Sequence, residues 1–516
     1  MILVTICKRK RFSSIYGLIC IAVLALCLLL ACGGSGTDPE SEHGEETPTG
    51  DTEETPGDGT PSTPIYAWDP ADFDHVYEVG PGRAYTAPDE VPWEDLQPSS
   101  LVMIYHRDTP YHAKWVINVA ATADDPVVIL GVASNGNRPV ISGDQATTRQ
   151  ELDYWNEPRS VIKIGGSSIP NNPKGPSHIY IQGLDIRSAR PAYSFTNDHG
   201  QADSYSENAA TVHIEEGEAI TINDCLLHDA ANGLFSGSAS SRLTISGNHV
   251  YANGIEGSIY QHNSYTESQG ILFEFNHYGP LRNGCLGNNL KDRSSGTVIR
   301  YNWIESGNRQ LDLVETDYDH IANDPGYNQT FVYGNVLVEP DGAGNSQILH
   351  YGGDGDDTDM YRQGTLYFYH NTVVSTRSGN TTLMRLATND ARADLFNNIL
   401  FATAGGTYLA ITSGRGQTYL SDNWLPTGWR STHESSLDPN ASVNNSGNVE
   451  GDVPGFIDMD GQDFYLTEGA DADGEAGALP VAVVNYPPEY QYVKHLQHEE
   501  RAADPISDIG AFERIE

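Results

Sequence analysis

The chain has 516 residues, of which 70 are acidic and only 29 are basic, which gives a formal net charge of −41. A charge of this sign repels the phosphate backbone, so nucleic acid is excluded as a partner. It suits solubility outside a cell, but an acidic polymer would be bound only where bases or metal ions offset the charge locally.

The first 32 residues have the pattern of an export signal, with a basic cluster at 8–11, an apolar run over 15–30 and small residues after it. The run is short for a membrane span. Its end, Leu29-Leu30-Ala31-Cys32, resembles a bacterial lipobox. The resemblance implies that Cys32 is lipidated and anchors the protein in the bacterial cell envelope, as an outer-membrane lipoprotein or at the cell surface or periplasm. An ordinary cleaved signal or a lone anchor helix are the alternatives.

Residues 33–63 form the next segment, which is rich in Pro, Gly, Ser and Thr. It carries nine acidic residues between Thr37 and Thr60 and no Lys or Arg. Such a segment has too little apolar surface to bury, so it is predicted to be a disordered tether. Residues 64–516 are predicted to form a single folded domain.

A repeat runs through this domain, with strand-like alternation of apolar and polar residues in each unit. Nine segments align on one column, and the residues three before and two after it are always apolar or aromatic. Column spacings of 23 to 41 residues predict an all-β solenoid of about nine or more coils, each with three short strands. Buried Asn amides at the turns are expected to stack and bond one another. The column comprises Leu184, Cys225, Asn248, Asn276, Asn302, Asn335, Asn371, Asn398 and Asn423.

This pattern resembles the right-handed parallel β-helix. The words "VYEVGPGRAY" (76–85) and "DDPVVILGV" (124–132) resemble the opening coils of exported β-helix proteins. The words "GFIDMDGQDFYLTEG" (455–469) and "DIGAFE" (508–513) resemble their closing segment. The resemblance therefore implies an N-terminal cap and a C-terminal closing segment within 64–516.

Two cysteines remain beyond the leader, Cys225 and Cys285. An exported protein offers the conditions for a disulfide, and the sequence leaves open whether these two pair. Their spacing is not one typical of a metal site.

Polar residues are predicted to line a groove on the strands after the Asn turns. If Leu290 faces the core, Lys291 and Arg293 face outward, and Asp312 does so between Leu311 and Leu313. Because consecutive coils place equivalent residues side by side, these positions are expected to form one polar stripe. The stripe comprises Tyr265, Glu267, Lys291, Arg293, Asp312 and His350, with Arg309 beside it and Arg385 in the following coil.

Two inserts follow Asp312 and His350, namely "TDYDHIANDPGYN" (316–328) and "YGGDGDDTDMYRQ" (351–363). Loops from neighbouring coils are expected to build a wall beside the stripe. Carboxylates are the ligands that Ca²⁺ prefers, so calcium is a candidate cofactor, with Glu267 and Asp312 as ligands. Acidic surface loops that bind nothing are the alternative.

The stripe has the groups needed to cleave a uronic-acid polysaccharide by β-elimination. Cations reduce the cost of removing the proton next to a carboxylate. A Lys whose pKa is lowered by nearby guanidinium groups can act as the base. Lys291 is predicted to be that base, with Arg293 or Arg309 as the cation. His350 or Tyr265 would protonate the leaving oxygen.

A Lys with an Arg one coil later on a β-helix resembles the chondroitinase B and alginate lyase group of polysaccharide lyases. The resemblance implies Lys291 as base, Arg309 as its partner and acidic residues that bind calcium. The run from "YTESQG" (265–270) to "LDLVE" (311–315) also resembles exported bacterial β-helix proteins of the polysaccharide-degrading type. An acidic polysaccharide is therefore the expected partner, and a monomer is the expected state.

Three other interpretations stay open. A glycoside hydrolase would use a carboxylate pair from Glu267, Asp312 and Glu315 on the same groove. Tyr265, Asp312 and Arg385 are the predicted substrate-binding residues of the enzyme. A carbohydrate-binding or adhesion protein would hold sugar on aromatic and polar groups of the same solenoid, without turnover. The bases could also belong to a solvated strand face with weak local ion pairs.

Overall fold

Short alternating segments of the chain form strands that pair in parallel with the segments one coil before and after. A computed structural model describes residues 66–502 and 507–514 of the protein. The predicted signal segment 1–32, the lipidation site Cys32 and the tether 33–63 lie outside these residues. Within the described ranges, no helix combines the length and the apolar character needed to cross a lipid bilayer.

The strands lie in three parallel sheets, which confirms the predicted right-handed parallel β-helix. Sheet I holds the strands that precede the Asn column, namely His75–Val79, Ser100–Tyr105, Val127–Val132, Ser177–Gln182, Gln269–Glu274, Ser295–Arg300, Gln329–Tyr333, Thr365–Tyr369, Arg392–Phe396, Gln417–Ser421 and Ser442–Ser446. Sheet II holds the eleven strands that follow it, namely Val140–Ser142, Asp185–Ala189, Leu226–Ala230, His249–Tyr251, His277–Tyr278, Trp303–Glu305, Val336–Glu339, Thr372–Ser375, Ile399–Ala402, Trp424–Pro426 and Val449–Gly451.

Sheet III completes each coil and carries the residues of the predicted stripe. Its strands are Ala113–Ile117, Ser160–Ile164, Ser264–Thr266, Leu290–Asp292, Leu311–Leu313, Gln347–Tyr351, Thr381–Leu386 and Leu409–Thr412. The long strands Ala210–Asn223 and Asn232–Ser246 begin in sheet III and end in sheet I, so they serve both faces.

The remaining elements are short. Ala146–Thr148 and Ala202–Ser204 both pair with Ser194–Thr196. One α-helical turn spans Asp319–Ala322. The 3₁₀ turns are Pro70–Asp72, Pro88–Glu90, Trp93–Asp95, Glu157–Arg159, Pro325–Asn328, Thr358–Met360, Gly406–Tyr408 and Val481–Val483.

The predicted Asn stacking is present and extends one coil further, to Asn448. From Asn248 to Asn448, each side-chain amide donates to the side-chain oxygen of the next coil's Asn, at distances from 2.8 to 3.1 Å. The same oxygen also accepts the backbone N–H of the preceding coil's Asn, as between Asn302 and Asn335 at 2.9 Å. Because these bonds connect equivalent positions, they fix the register between coils.

The two earlier members of the column depart from this ladder. Leu184 and Cys225 are fully buried, and the Cys225 backbone N–H donates to the Asn248 side chain at 3.0 Å. Burial raises the pKa of the Cys225 thiol to about 12. Cys225 and the half-buried Cys285 are both free thiols, so no disulfide joins them.

The C-terminal segment, described over 456–502 and 507–514, leaves the coils and packs outside them. It contains two antiparallel hairpins, Phe456–Asp458 with Asp463–Leu466 and Tyr490–Val493 with Gln497–Glu500. It covers apolar residues of sheet II and an aromatic cluster beside the Asn turns. There, the Tyr369 hydroxyl donates to the Tyr486 carbonyl at 2.6 Å, and the Tyr301 hydroxyl donates to the Pro487 carbonyl at 3.2 Å.

Replacing Asn335 in the middle of the ladder tests its contribution to stability. Asn335→Ala removes the side-chain acceptor of the Asn302 backbone N–H, one of the three acceptors of the Asn302 side-chain amide, and the side-chain donor to the Ile299 carbonyl. Each buried group left unsatisfied costs about 1–3 kcal/mol, so we expect the free energy of unfolding in urea to fall by about 2–4 kcal/mol. The exposed Asn440→Ala is the control and should change it little. Equal stability of the two variants would contradict a structural role for the ladder.

Candidate active site

The predicted stripe is a continuous row on the outer face of sheet III. Tyr265, Lys291, Asp312, His350 and Arg385 are successive register partners on adjacent strands. Neighbouring rungs lie about 4.8 Å apart, so five residues distant in sequence become direct neighbours. The flanking leucines at 290, 311 and 313 are fully buried in the core, as the alternation predicts.

Asp312 lies at the centre of the row and is almost fully buried. Its carboxylate accepts from Lys291 Nζ at 3.0 Å, Asn288 Nδ2 at 2.7 Å and His350 Nδ1 at 2.9 Å. Arg309 Nη1 lies 3.8 Å from Oδ1, the carboxylate oxygen that His350 also bonds. Burial raises the pKa of Asp312, but His350 and Lys291 outweigh it and hold that pKa well below its usual range. The carboxylate is therefore ionised and fully engaged.

Lys291 is held between two carboxylates. Its ammonium pairs with Asp312 and lies 3.7 Å from Asp354 of the second insert. Burial lowers the pKa of Lys291, but the charges of Asp312 and Asp354 outweigh it, and the pKa is raised. The sequence-based expectation of a lowered pKa is therefore wrong for the free protein, because carboxylates rather than guanidinium groups lie closest to the ammonium.

Two guanidinium groups lie at the downstream end of the row. Arg309 Nη2 donates to Gln347 Oε1 at 3.1 Å, and Nε is buried without a partner among the described residues. Burial lowers the pKa of Arg309; Asp312 opposes this shift, and the nearby charge of Arg385 adds to it. Lys291 and Arg309 thus both point to the same carboxylate, on the same side of the β-helix.

Tyr265 and Arg293 lie at the upstream end of the site. The half-buried Tyr265 ring lies 5.8 Å from Lys291 Nζ and 5.7 Å from the Arg293 guanidinium carbon. The strand ends at Asp292, so Arg293 is not a strand residue, although its side chain reaches the predicted face. It donates to the Glu315 carbonyl at 2.8 Å and lies 3.4 Å from Asp317.

Glu267 lies apart from the Asp312 cluster. Its carboxylate accepts from the Thr316 hydroxyl in the first insert. Burial raises the pKa of Glu267, and the bond from Thr316 and the charge of Arg293 oppose this shift. The two predicted metal ligands, Glu267 and Asp312, therefore have different hydrogen-bonding partners.

Both inserts lie beside the row, as the sequence predicts. Glu315 anchors the second one, because its carboxylate accepts the backbone N–H groups of Asp354 at 3.0 Å and Gly355 at 2.7 Å. An acidic pocket of about 320 Å³ lies between the inserts. It is lined by Glu315, Asp317, Asp319, Gly355, Asp356, Asp357 and Met360.

Several residues of the site are not among those predicted from the sequence. Asp292 faces inward and pairs with Arg362 of the second insert at 3.1 Å, with both side chains fully buried. His262 packs edge-on against Tyr265 and accepts the Asn288 backbone N–H at 2.9 Å. Burial and the charge of Lys291 lower the pKa of His262 to about 3. The alternation of side chains along the strand could have indicated that Asp292 faces inward, since Lys291 faces outward. The residues contributed by loops follow no periodic pattern in the sequence.

The fit of a metal ion can be judged from the donor set. Asp312, His350 and Asp354 each place one ligand atom within 4.8 Å of the others. However, the Lys291 ammonium already pairs with both carboxylates, and an imidazole is a poor ligand for Ca²⁺. These three residues do not fit calcium. The pocket between the inserts is lined mainly by carboxylates, which are the donors that calcium prefers.

No family model and no curated protein matches the chain. Among solved structures, pectate lyase Pel9A is similar over 86% of this chain and 97% of its own, with 10% identity and a TM-score of 0.48. A rhamnogalacturonan lyase is similar over 80% of this chain and 98% of its own, with 14% identity and a TM-score of 0.43. The lacto-N-biosidase of Eubacterium ramulus is similar over 73% of this chain and 68% of its own, with 12% identity and a TM-score of 0.40. The site must therefore be interpreted from its own residues.

The Asp312 cluster predicts a specific acid sensitivity. The folded-state pKa of Asp312 is lowered, so its contribution to stability is present above the unfolded-state pKa of about 3.9 and is lost as pH falls below it. We expect Asp312→Asn to cost about 3–5 kcal/mol of unfolding free energy at neutral pH, because Lys291 loses its buried partner.

Urea unfolding across a pH series measures both effects. Below about pH 4, wild type should lose stability more steeply than Asp312→Asn. The exposed Asp359→Asn is the matched control and should retain the wild-type acid limb. Parallel acid limbs for wild type and Asp312→Asn would show that this carboxylate is not held ionised by the cluster.

Proposed function

We propose that the protein is a polysaccharide-degrading enzyme that cleaves a uronic-acid polymer by β-elimination at the row on sheet III. The observation that carries this proposal is the convergence of Lys291, Arg309, Arg293 and Arg385 on one face of a chain whose net charge is −41. A cluster of bases in so acidic a protein supports recognition of an anion, since it offsets the general repulsion locally.

The downstream arginines suit the substrate carboxylate. Arg309 lies beside the reacting row with one donor unpaired, and the charge of Arg385 lies close to it. A guanidinium pair binds a carboxylate through directed, charge-assisted hydrogen bonds. It also stabilises the negative charge that develops when the adjacent proton is removed. We assign Arg309 and Arg385 to this role.

Lys291 is the proposed base, and it requires activation. In the free protein Asp312 and Asp354 keep it protonated. Asp354 is the exposed member of the pair and belongs to an insert, whereas Asp312 is buried in the row. Displacement of Asp354 by an incoming substrate would remove one of the two charges that raise the Lys291 pKa.

Tyr265 is the proposed donor to the leaving oxygen. It is half-buried beside Lys291, so a sugar lying on the row can reach it. His350 is fully buried, and its Nδ1 bonds Asp312. We therefore assign His350 a positioning role, in which it holds the carboxylate that orients Lys291.

For the hydrolase alternative, only Glu267 of the three predicted carboxylates is suited to act as a catalytic acid. Burial raises the pKa of Glu267, which favours a general acid. Asp312 is paired with a cation and Glu315 is bonded to backbone N–H groups, so neither is a free second carboxylate. A binding protein without turnover would use the same aromatic and cationic groups.

Location and metal dependence are part of the proposal. The leader sequence and Cys32 support attachment to the bacterial envelope. Calcium would be held by the carboxylates between the inserts, where it would offset the charge of an acidic polymer. Loss of activity in chelator, restored by Ca²⁺, tests that part separately.

Substitution of Lys291 separates an enzyme from a binder. Lys291→Arg keeps a cation beside Asp312 but places a group on the row that cannot lose its proton. We expect cleavage of a uronate polymer, followed by the ultraviolet absorbance of the unsaturated product, to fall at least about a thousandfold, with binding retained. Lys174→Ala, at an exposed site, is the control. Release of reducing sugar without unsaturated product would support the hydrolase instead.

The contact between Asp354 and Lys291 predicts how the activity depends on pH. A Lys base must be deprotonated, so kcat/KM should rise with pH through the Lys291 pKa. Because Asp354 raises that pKa, Asp354→Asn should move the rising limb to lower pH. Asp359→Asn removes a charge of the same sign from the same insert, at an exposed position outside the acidic pocket, and should leave the limb in place. If the rising limb of kcat/KM moves in neither variant, then either Lys291 is not the base or Asp354 does not raise its pKa.

A further inference from the structure

The row on sheet III continues upstream of Tyr265. The register partner of Tyr265 is Phe235, followed by His213 and Lys163. Lys163 and His213 are buried, whereas Phe235 is half-buried. Lys163 Nζ donates to the Gly166 carbonyl at 2.9 Å, so the chain that follows its strand folds back over it. The open part of the row therefore ends at Phe235.

A guanidinium group lies at this end. The Arg159 side chain lies over the Phe235 ring, 4.7 Å from its centroid. Two of its nitrogens, Nε and Nη2, are buried without a hydrogen-bonding partner among the described residues. Glu215 is the nearby acid, but Lys163 already pairs with it at 2.7 Å. Arg159 as a whole is half-buried, so a ligand on the groove can reach its side chain. Buried donors of a cation are costly to leave unsatisfied, so an external acceptor here would be bound favourably.

The distance from this end to the reacting groups suits an oligosaccharide. Phe235 and Tyr265 contact edge to face, with centroids 5.2 Å apart, and form an aromatic platform. Phe235 and Lys291 are two rungs apart, which is about 10 Å. A sugar over Phe235 is thus a different unit of the polymer from the one whose proton faces Lys291.

We propose that Arg159 and Phe235 form the terminal subsite of the groove, where Arg159 binds the carboxylate of a uronate sugar other than the reacting one. The proposal rests on the proposed function and extends it, because it requires a substrate with acidic groups on more than one sugar. Phe235 supplies the apolar surface on which that sugar ring lies. Arg159 supplies the charge that distinguishes an acidic unit from a neutral one.

A double-mutant cycle between the protein and the ligand tests this subsite. Affinity is measured by calorimetry in the Lys291→Arg background, so that turnover does not interfere. The ligands are a uronate tetrasaccharide and its derivative with a methyl ester on the terminal sugar bound at Phe235. We expect Arg159→Gln to weaken binding of the acidic tetrasaccharide about tenfold and to leave binding of the ester unchanged. Arg242→Gln, which removes an exposed Arg on sheet I, should alter neither.

Each outcome decides one of the two proposals. Equal weakening of acid and ester by Arg159→Gln would indicate a structural role for Arg159 and overturn the subsite, as would no weakening of either. If the wild-type protein binds the acid through Arg159 but produces no unsaturated sugar, the β-elimination proposal fails and the subsite stands. If it cleaves the polymer at the same KM with or without Arg159, the subsite fails and the enzyme stands.

Discussion

The hydrogen bonds between stacked Asn side chains are the interaction on which the rest of the structure depends. Each amide both donates and accepts along the helix axis, so a shift of one coil by a single residue would break bonds at two levels. A one-residue shift would also turn every inward side chain outward. The Asn ladder therefore fixes the register of the whole coil as well as the conformation of the turns. It determines which residues of sheet III become neighbours, and so it assembles the row from Tyr265 to Arg385.

The row has an unusual electrostatic design for so acidic a chain. Burying Asp312 with Lys291 and His350 costs desolvation, which the short bonds around the carboxylate offset. The arrangement holds an ammonium in a defined position before any ligand arrives. Such preorganisation favours a site that stabilises charge during a reaction, because little reorientation is then needed. The same bonds raise the Lys291 pKa, so activation must come from a change in its surroundings.

The fold could be predicted because its determinant is periodic. A column of Asn between apolar flanks is visible in the sequence, and alternation places Lys291 and Asp312 on one face. Asp354 could not be placed, because its position depends on how an insert folds back and on the bonds from Glu315. Arg159 was missed for the same reason, since it precedes a strand in a short turn. Residues presented by the regular coils were predictable, and those presented by connections were not.

The packing of the C-terminal segment has a consequence for how the molecule folds. Its binding surface includes Tyr301 and Tyr369, which lie on different coils and far from it in sequence. That surface exists only after those coils have stacked, so the segment docks after them. Contacts of such large sequence separation slow folding, because the chain between them must be ordered first. During synthesis, the apolar side of sheet II stays uncovered until the segment that covers it has emerged, and this interval is when the chain most needs protection from association with other chains.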